Sequence, residues 1–186
     1  MDSHRTRERH AAVRVCLVGL IAGGHSGVPR YAAKLIEAMD RSAPDFPSVE
    51  LVLLTTPEGR EASGAGGLET VVTRSRGRHA NAGPGRLVLE HLHARRARAD
   101  LLHFFDITGP VLAPHRPFVA TVHDTSALRG FRRVKNSYKR HLYPWAMRRA
   151  TAAVAVSQAA KDDIVAALGR SEEHTSELQS PMYLVC

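Results

Sequence analysis

Three short stretches of this sequence carry residue types that can do chemistry. The first is Ile21-Ala22-Gly23-Gly24-His25-Ser26-Gly27. Gly23, Gly24 and Gly27 allow a ligand or another backbone to come close. The apolar spacing from Val28 to Asp40 predicts a helix directly after them. The start of such a helix presents unpaired N–H groups and a partial positive charge, which can hold a phosphate or a sugar hydroxyl. The same glycines also suit a loop that only turns the chain. The second stretch is His123-Asp124, after the apolar run Phe118 to Val122. A histidine at a strand end can hydrogen-bond a ligand, act as acid or base near neutral pH, or only cap the strand. The third comprises Asp106 and Ser157, each just beyond a further apolar run.

Several chemistries are excluded by what these stretches lack. The glycine loop has no Gly-Lys-Ser/Thr and is not a Walker A sequence. Nor is it a clean Gly-x-Gly-x-x-Gly, and Thr55-Thr56-Pro57 stands where a dinucleotide fold places an acidic residue. An NAD(P)-dependent oxidoreductase is therefore the disfavoured alternative, and a non-catalytic nucleotide- or sugar-binding module is another. His91 and His93 are two apart on a predicted helix and face different ways, so they make no metal pair. There is no His-Glu-x-x-His, no cysteine pair at ligand spacing and no Gly-x-Ser-x-Gly. No metal site and no cofactor is expected.

The elements that must position these residues alternate between strand and helix. Strands are predicted at 14–20, 49–55, 68–73, 101–105, 118–123 and 152–156, and helices at 28–40, 87–98, 136–150 and from Ser157 to about Gly169. Residues 58–67 read as a glycine-rich loop. Pro144 must kink its helix or mark a fresh start, and Ser157 is a good N-cap. His103, flanked by Leu102 and Phe104, reads as a satisfied core residue. The pattern implies a doubly wound parallel α/β sheet of Rossmann-like type, with right-handed crossovers. Ligands of such sheets sit beyond the carboxyl ends of the strands. That rule brings Gly24, Ser26, Gly27, Asp106, His123, Asp124 and Ser157 to one rim.

The chain has 186 residues and 44% hydrophobic residues, enough for a buried core. Its net charge is +8, with arginine far in excess of lysine. The arginines are spread along the chain, as GC-rich coding DNA produces, so no nucleic-acid partner is expected. The densest basic stretch, Arg129–Arg140, is interleaved with Phe131 and Tyr138. It suits a solvated face, or peripheral contact with anionic lipid heads or phosphorylated acceptors. No apolar run is long enough to span a bilayer, and two cysteines give no disulfide framework. Both points suggest a cytoplasmic protein, peripheral at most on the inner membrane face. Residues 1–12 are polar and expected to be disordered. After Gly169 the composition breaks sharply: residues 170–186 resemble the in-frame translation of a common short-read sequencing adapter. They are expected to be a non-native tail on a chain cut near Gly169.

The remaining domain, 13–169, resembles family 4 glycosyltransferases in four blocks, in the family's order. These are Gly23 to Met39, Asp100-Leu101-Leu102-His103-Phe104-Phe105-Asp106, Phe118 to Asp124 and Ala152 to Asp163. The resemblance implies the N-terminal, acceptor-side half of a two-domain GT-B enzyme. In the family, the complete protein transfers a sugar from a nucleotide-sugar donor to a saccharide or lipid-linked acceptor, with retention and without a catalytic metal. Gly27 matches the glycine whose backbone approaches the donor phosphate, and Ser26 stands where many relatives have another glycine. His123 matches the histidine that contacts the transferred sugar, and Asp124 follows it as in many relatives. Arg30 and Tyr31 match a frequent Arg-Tyr pair with an acceptor or packing role, and Ser157 matches a serine after the sixth strand. The donor-binding half would follow residue 169, so the resemblance implies a fragment that is inactive alone.

Overall fold

The computed structural model of the chain describes residues 12–73, 92–106, 116–123, 137–168 and 175–177, with the side chains of 137–142, 168 and 175–177 excepted. Among these residues seven strands form one sheet: β1 Val13–Val18, β2 Val49–Thr55, β3 Glu69–Val72, β4 Leu101–Phe104, β5 Phe118–Val122, β6 Ala152–Ala155 and β7 Thr175–Glu177. Their order is β3-β2-β1-β4-β5-β6-β7, and every neighbouring pair is parallel. The chain walks outward from β1 to β3, returns to lay β4 on the other side of β1, and walks outward again. The order therefore reverses between β1 and β4, and there the carboxyl ends leave a crevice.

Alternation along the strands sends successive side chains to opposite faces. Cys16 and Val18 of β1 join Val52, Leu54, Leu102 and Phe104 in one buried cluster. Leu17 and Leu53 join the other cluster, with Ala32, Ala33, Ile36 and Phe105. Both faces are buried, which is why β1 and β2 read as near-continuous apolar runs. The first face is covered by helices α3 (Ser137–Arg148) and α4 (Gln158–Leu168), which supply Tyr143, Met147 and Ile164. The second is covered by α1 (Gly27–Ser42), which supplies Ala32, Ala33 and Ile36. At the amino end of the sheet Arg14 ties three strands together, pairing with Glu50 of β2 and, at 2.6 Å, with Glu69 of β3. Its Nε–H also donates to the Ala97 carbonyl at 3.0 Å.

Two expectations need correction. The region read as a loop over 58–67 begins with a helix, α2 (Pro57–Ser63). Thr56 caps it by accepting the Gly59 N–H at 3.1 Å, Pro57 sits in the first turn, and Gly64 stops it in the left-handed region at φ 60°. Of the two readings of Pro144, the fresh start is excluded: α3 runs through it as one helix. The lost backbone bond is offset by burial of Tyr143, Ala146 and Met147 around it. The adapter-like tail is also not featureless, since Thr175–Glu177 pairs with Ala153–Ala155 as the outermost strand. The helix expected at 87–98 is described only from residue 92.

Candidate functional site

The glycine loop is built by close packing rather than by open coil. The Gly19 N–H donates to the Leu54 carbonyl at 2.8 Å as β1 ends. The chain then folds back through Ala22 N–H to Gly19 O at 3.0 Å and Gly24 N–H to Ile21 O at 3.1 Å. Ile21 and Ala22 are buried, while His25, Ser26 and Gly27 face solvent. A Cβ on Gly23 would stand 3.0 Å from the Glu58 Cβ and the Gly59 nitrogen, and one on Gly24 would stand 2.7 Å from the Pro29 Cγ. Those two glycines are needed to seat the loop against α2 and α1. Gly27 differs: nothing lies within 4 Å of a Cβ placed there. Any demand for glycine at that position must come from what approaches it.

The start of α1 is capped incompletely. Ser26 takes the N-cap conformation (φ −87°, ψ 178°) but its hydroxyl makes no capping hydrogen bond, and the first turn has no acidic residue. The Ser26 carbonyl accepts the Arg30 N–H at 3.2 Å, and the Arg30 side chain is exposed. The positive end of the helix dipole thus opens onto solvent at Ser26 and Gly27, without an acidic side chain in its own first turn to neutralise it.

His123 is the first residue after β5 and is half-buried. Its Nε2 lies 3.0 Å from the carbonyl oxygen of Phe105, the first residue after β4. A carbonyl only accepts, so Nε2 carries the proton, and in the neutral ring Nδ1 is the acceptor. Burial lowers the imidazole pKa, and the Phe105 carbonyl and the Asp106 charge oppose that shift without cancelling it. The ring is accordingly neutral at pH 7. Tyr31, one helical turn beyond Gly27, packs against it edge to face: the ring centroids are 4.6 Å apart and the planes cross at 83°. This contact and the Phe105 hydrogen bond bring together the carboxyl ends of β4 and β5 and the first turns of α1.

Behind this rim lies a small polar interior. The His103 Nε2 lies 3.1 Å from the Thr121 Oγ1, and His103 is only 8% exposed. Burial lowers its pKa to about 4, so it is a neutral core residue rather than a proton carrier at pH 7. The Tyr31 hydroxyl is also buried and meets no hydrogen-bond partner among the described residues. Burial raises its pKa, and the Thr121 hydroxyl is near enough to oppose that shift without completing a hydrogen bond.

The other rim residues are less closely joined to His123. Asp106 is the second residue after β4 and bears on His123 through its charge. Ser157 is exposed and caps α4, accepting the Ala160 N–H at 3.2 Å. Asp124 and the basic stretch Arg129–Arg140 lie outside the described residues, apart from the helical backbone of 137–140. Sequence reasoning did not find the Phe105 carbonyl or the Tyr31–His123 contact. The available signal for the first was position, because Phe105 is the first residue beyond β4 at the strand-order reversal. Among the described residues no three His, Cys, Asp or Glu side chains cluster as metal ligands.

The profile of the family described as Glycosyltransferase Family 4 matches residues 25–176. No curated protein is significantly similar in sequence. Among solved structures the chain is similar to Anabaena Alr3699/HepE, crystallised in complex with UDP and glucose, at 17% identity and a TM-score of 0.49, over 89% of this chain and 44% of that one. It is also similar to Glycyrrhiza uralensis UGT73P12, complexed with glycyrrhetinic acid 3-O-monoglucuronide, at 10% identity and a TM-score of 0.46, over 92% of this chain and 49% of that one. The chain spans about half the length of these solved structures.

Proposed function

Because the chain belongs to glycosyltransferase family 4, we propose that its parent protein transfers a sugar from a nucleotide-sugar donor to a saccharide or lipid-linked acceptor, with retention. The observation that carries this reading is the Tyr31–His123 contact at 4.6 Å, which sets the start of α1 and a neutral histidine on one rim of the sheet. The Gly27 N–H and the positive end of α1 hold a donor phosphate there, with Gly24, Ser26 and Arg30 shaping that end. The His123 Nδ1 accepts a hydroxyl of the transferred sugar, and Asp124 stands beside it in sequence. Asp106 and Ser157 are proposed to bind substrate at the same rim. The nucleotide sugar is a substrate, and no metal is assigned.

Charge on the departing diphosphate must be stabilised in a closed, dry cleft. The 186-residue chain is proposed to provide one wall of such a cleft and to transfer no sugar alone. Residues 170–186 are proposed to be foreign to the parent, which the genomic reading frame beyond Gly169 tests. The parent is proposed to be cytoplasmic, with peripheral membrane contact through Arg129–Arg140. Supporting that contact, Trp145 of α3, the helix whose start overlaps the end of that stretch, is 45% exposed and carries the Arg149 guanidinium 5.1 Å from its ring. No helix among the described residues is long and apolar enough to cross a membrane. Binding to anionic vesicles at low salt, lost at high salt, is the expected sedimentation result.

The test of the main reading is transfer of label from a panel of nucleotide sugars by the full-length parent. His123→Ala is expected to cut turnover about 100-fold or more. Turnover within a few-fold of the unsubstituted protein, or reduction of NAD(P) in place of sugar transfer, would remove the reading.

A further inference from the structure

The geometry points to Tyr31 as the positioning residue for His123: its ring, held by the core, fixes the orientation in which the imidazole meets the sugar. The inference rests on the reading of His123 as the sugar-facing group. Among the described residues His123 makes a single hydrogen bond, from Nε2 to the Phe105 carbonyl at 3.0 Å, which leaves the imidazole free to tilt about that contact. The Tyr31 ring removes this freedom by meeting the imidazole at 83° and 4.6 Å. Tyr31 is itself fixed at both ends. Its backbone lies in the first turns of α1, next to the buried Ala32 and Ala33. Its hydroxyl end is buried near Thr121, whose own hydroxyl is engaged by His103 at 3.1 Å. Swinging the ring away would require repacking the interior between α1 and β5.

The arrangement also says which part of the side chain matters. The hydroxyl lies near Thr121 without completing a hydrogen bond of good geometry, so the ring contact at 4.6 Å does the positioning. Phenylalanine should serve equally well at this site, and a side chain without an aromatic ring should not. Beside Tyr31, the groups that bear on His123 among the described residues are the Phe105 carbonyl and the Asp106 carboxylate, and neither is altered by a change at position 31.

The test is nitrogen-15 NMR of His123 in the 186-residue chain, comparing the unsubstituted protein with Tyr31→Phe and Tyr31→Leu. Tyr31→Phe is expected to keep the Nε2-protonated tautomer and the lowered pKa. Tyr31→Leu is expected to mix the two tautomers and to let the pKa rise towards 6.5 as water reaches the ring. In the full-length parent the same variant should lower kcat about 10- to 100-fold with little change in KM, with rescue by Tyr31→Phe. A folded Tyr31→Leu chain whose His123 keeps its tautomer and pKa overturns the inference. If Tyr31→Leu does not fold, nuclear Overhauser contacts between the two rings of the unsubstituted chain decide: their presence upholds the inference and their absence overturns it. The NMR readouts do not depend on sugar transfer, so failure of the proposed activity and failure of the positioning role give different results.

Discussion

Acidifying the chain should destabilise it through His103, and the size of the effect follows from where that residue sits. His103 is on β4, 8% exposed, with Nε2 against the Thr121 hydroxyl. Burial lowers its pKa from 6.5 to about 4. As pH falls through 6.5 the unfolded chain binds this proton and the folded chain does not, so the stability present above pH 6.5 is lost progressively down to about pH 4. At roughly 1.4 kcal/mol per unit the full loss is about 3 kcal/mol, of which about 2 kcal/mol falls between pH 7 and about pH 4.5. That is a sizeable share of the 5–15 kcal/mol typical of a domain. The assay is urea unfolding at several pH values of the unsubstituted chain and of His103→Gln, whose amide can still meet Thr121. Carboxylates and the other histidines act in both proteins, so their difference isolates His103. The unsubstituted chain should lose about 2 kcal/mol more than the variant over that interval. Parallel losses would show that His103 is not buried in its neutral form, and the packing between β4 and β5 described here would be wrong.

Two glycines should respond oppositely to alanine. A Cβ on Gly59 would stand 2.3 Å from the Thr55 Oγ1, so Gly59→Ala should cost about 1–3 kcal/mol in urea unfolding. Gly27→Ala meets open space and should change stability by no more than about 0.5 kcal/mol, while weakening nucleotide-sugar binding by the full-length parent. Cys16 is buried and its thiol is pushed up to about 12, so mass spectrometry should find it unmodified by iodoacetamide until denaturant is added. Arg14→Met should cost about 1 kcal/mol at low salt and less in 1 M salt, because the pairs with Glu50 and Glu69 are partly exposed.

The strands and the shared rim were legible because they depend on short-range patterns. Runs such as Val49–Thr55 are apolar on both faces, which in an α/β chain marks a buried parallel strand. The alternation of those runs with helical spacing then places Gly27, Asp106 and His123 at the same ends of their strands. Helix α2 was hidden by its glycines, which read as breakers. Gly59 is in fact required by the Thr55 side chain, and Gly64 is the stop rather than part of a loop. β7 was hidden for another reason. Backbone pairing at an open sheet edge makes little demand on side-chain type, so a polar Thr175-Ser176-Glu177 can fill the position beside β6. The Tyr31–His123–Phe105 contact joins three segments distant in sequence, and no local pattern reports such a meeting.

The most direct test of the shared rim is a crystal structure of the full-length parent with its nucleotide sugar bound. The account predicts a phosphate oxygen about 3 Å from the Gly27 nitrogen and a sugar hydroxyl at hydrogen-bond distance from the His123 Nδ1. A nucleotide sugar seated away from the carboxyl ends of β1, β4 and β5, with His123 turned from it, would contradict the account.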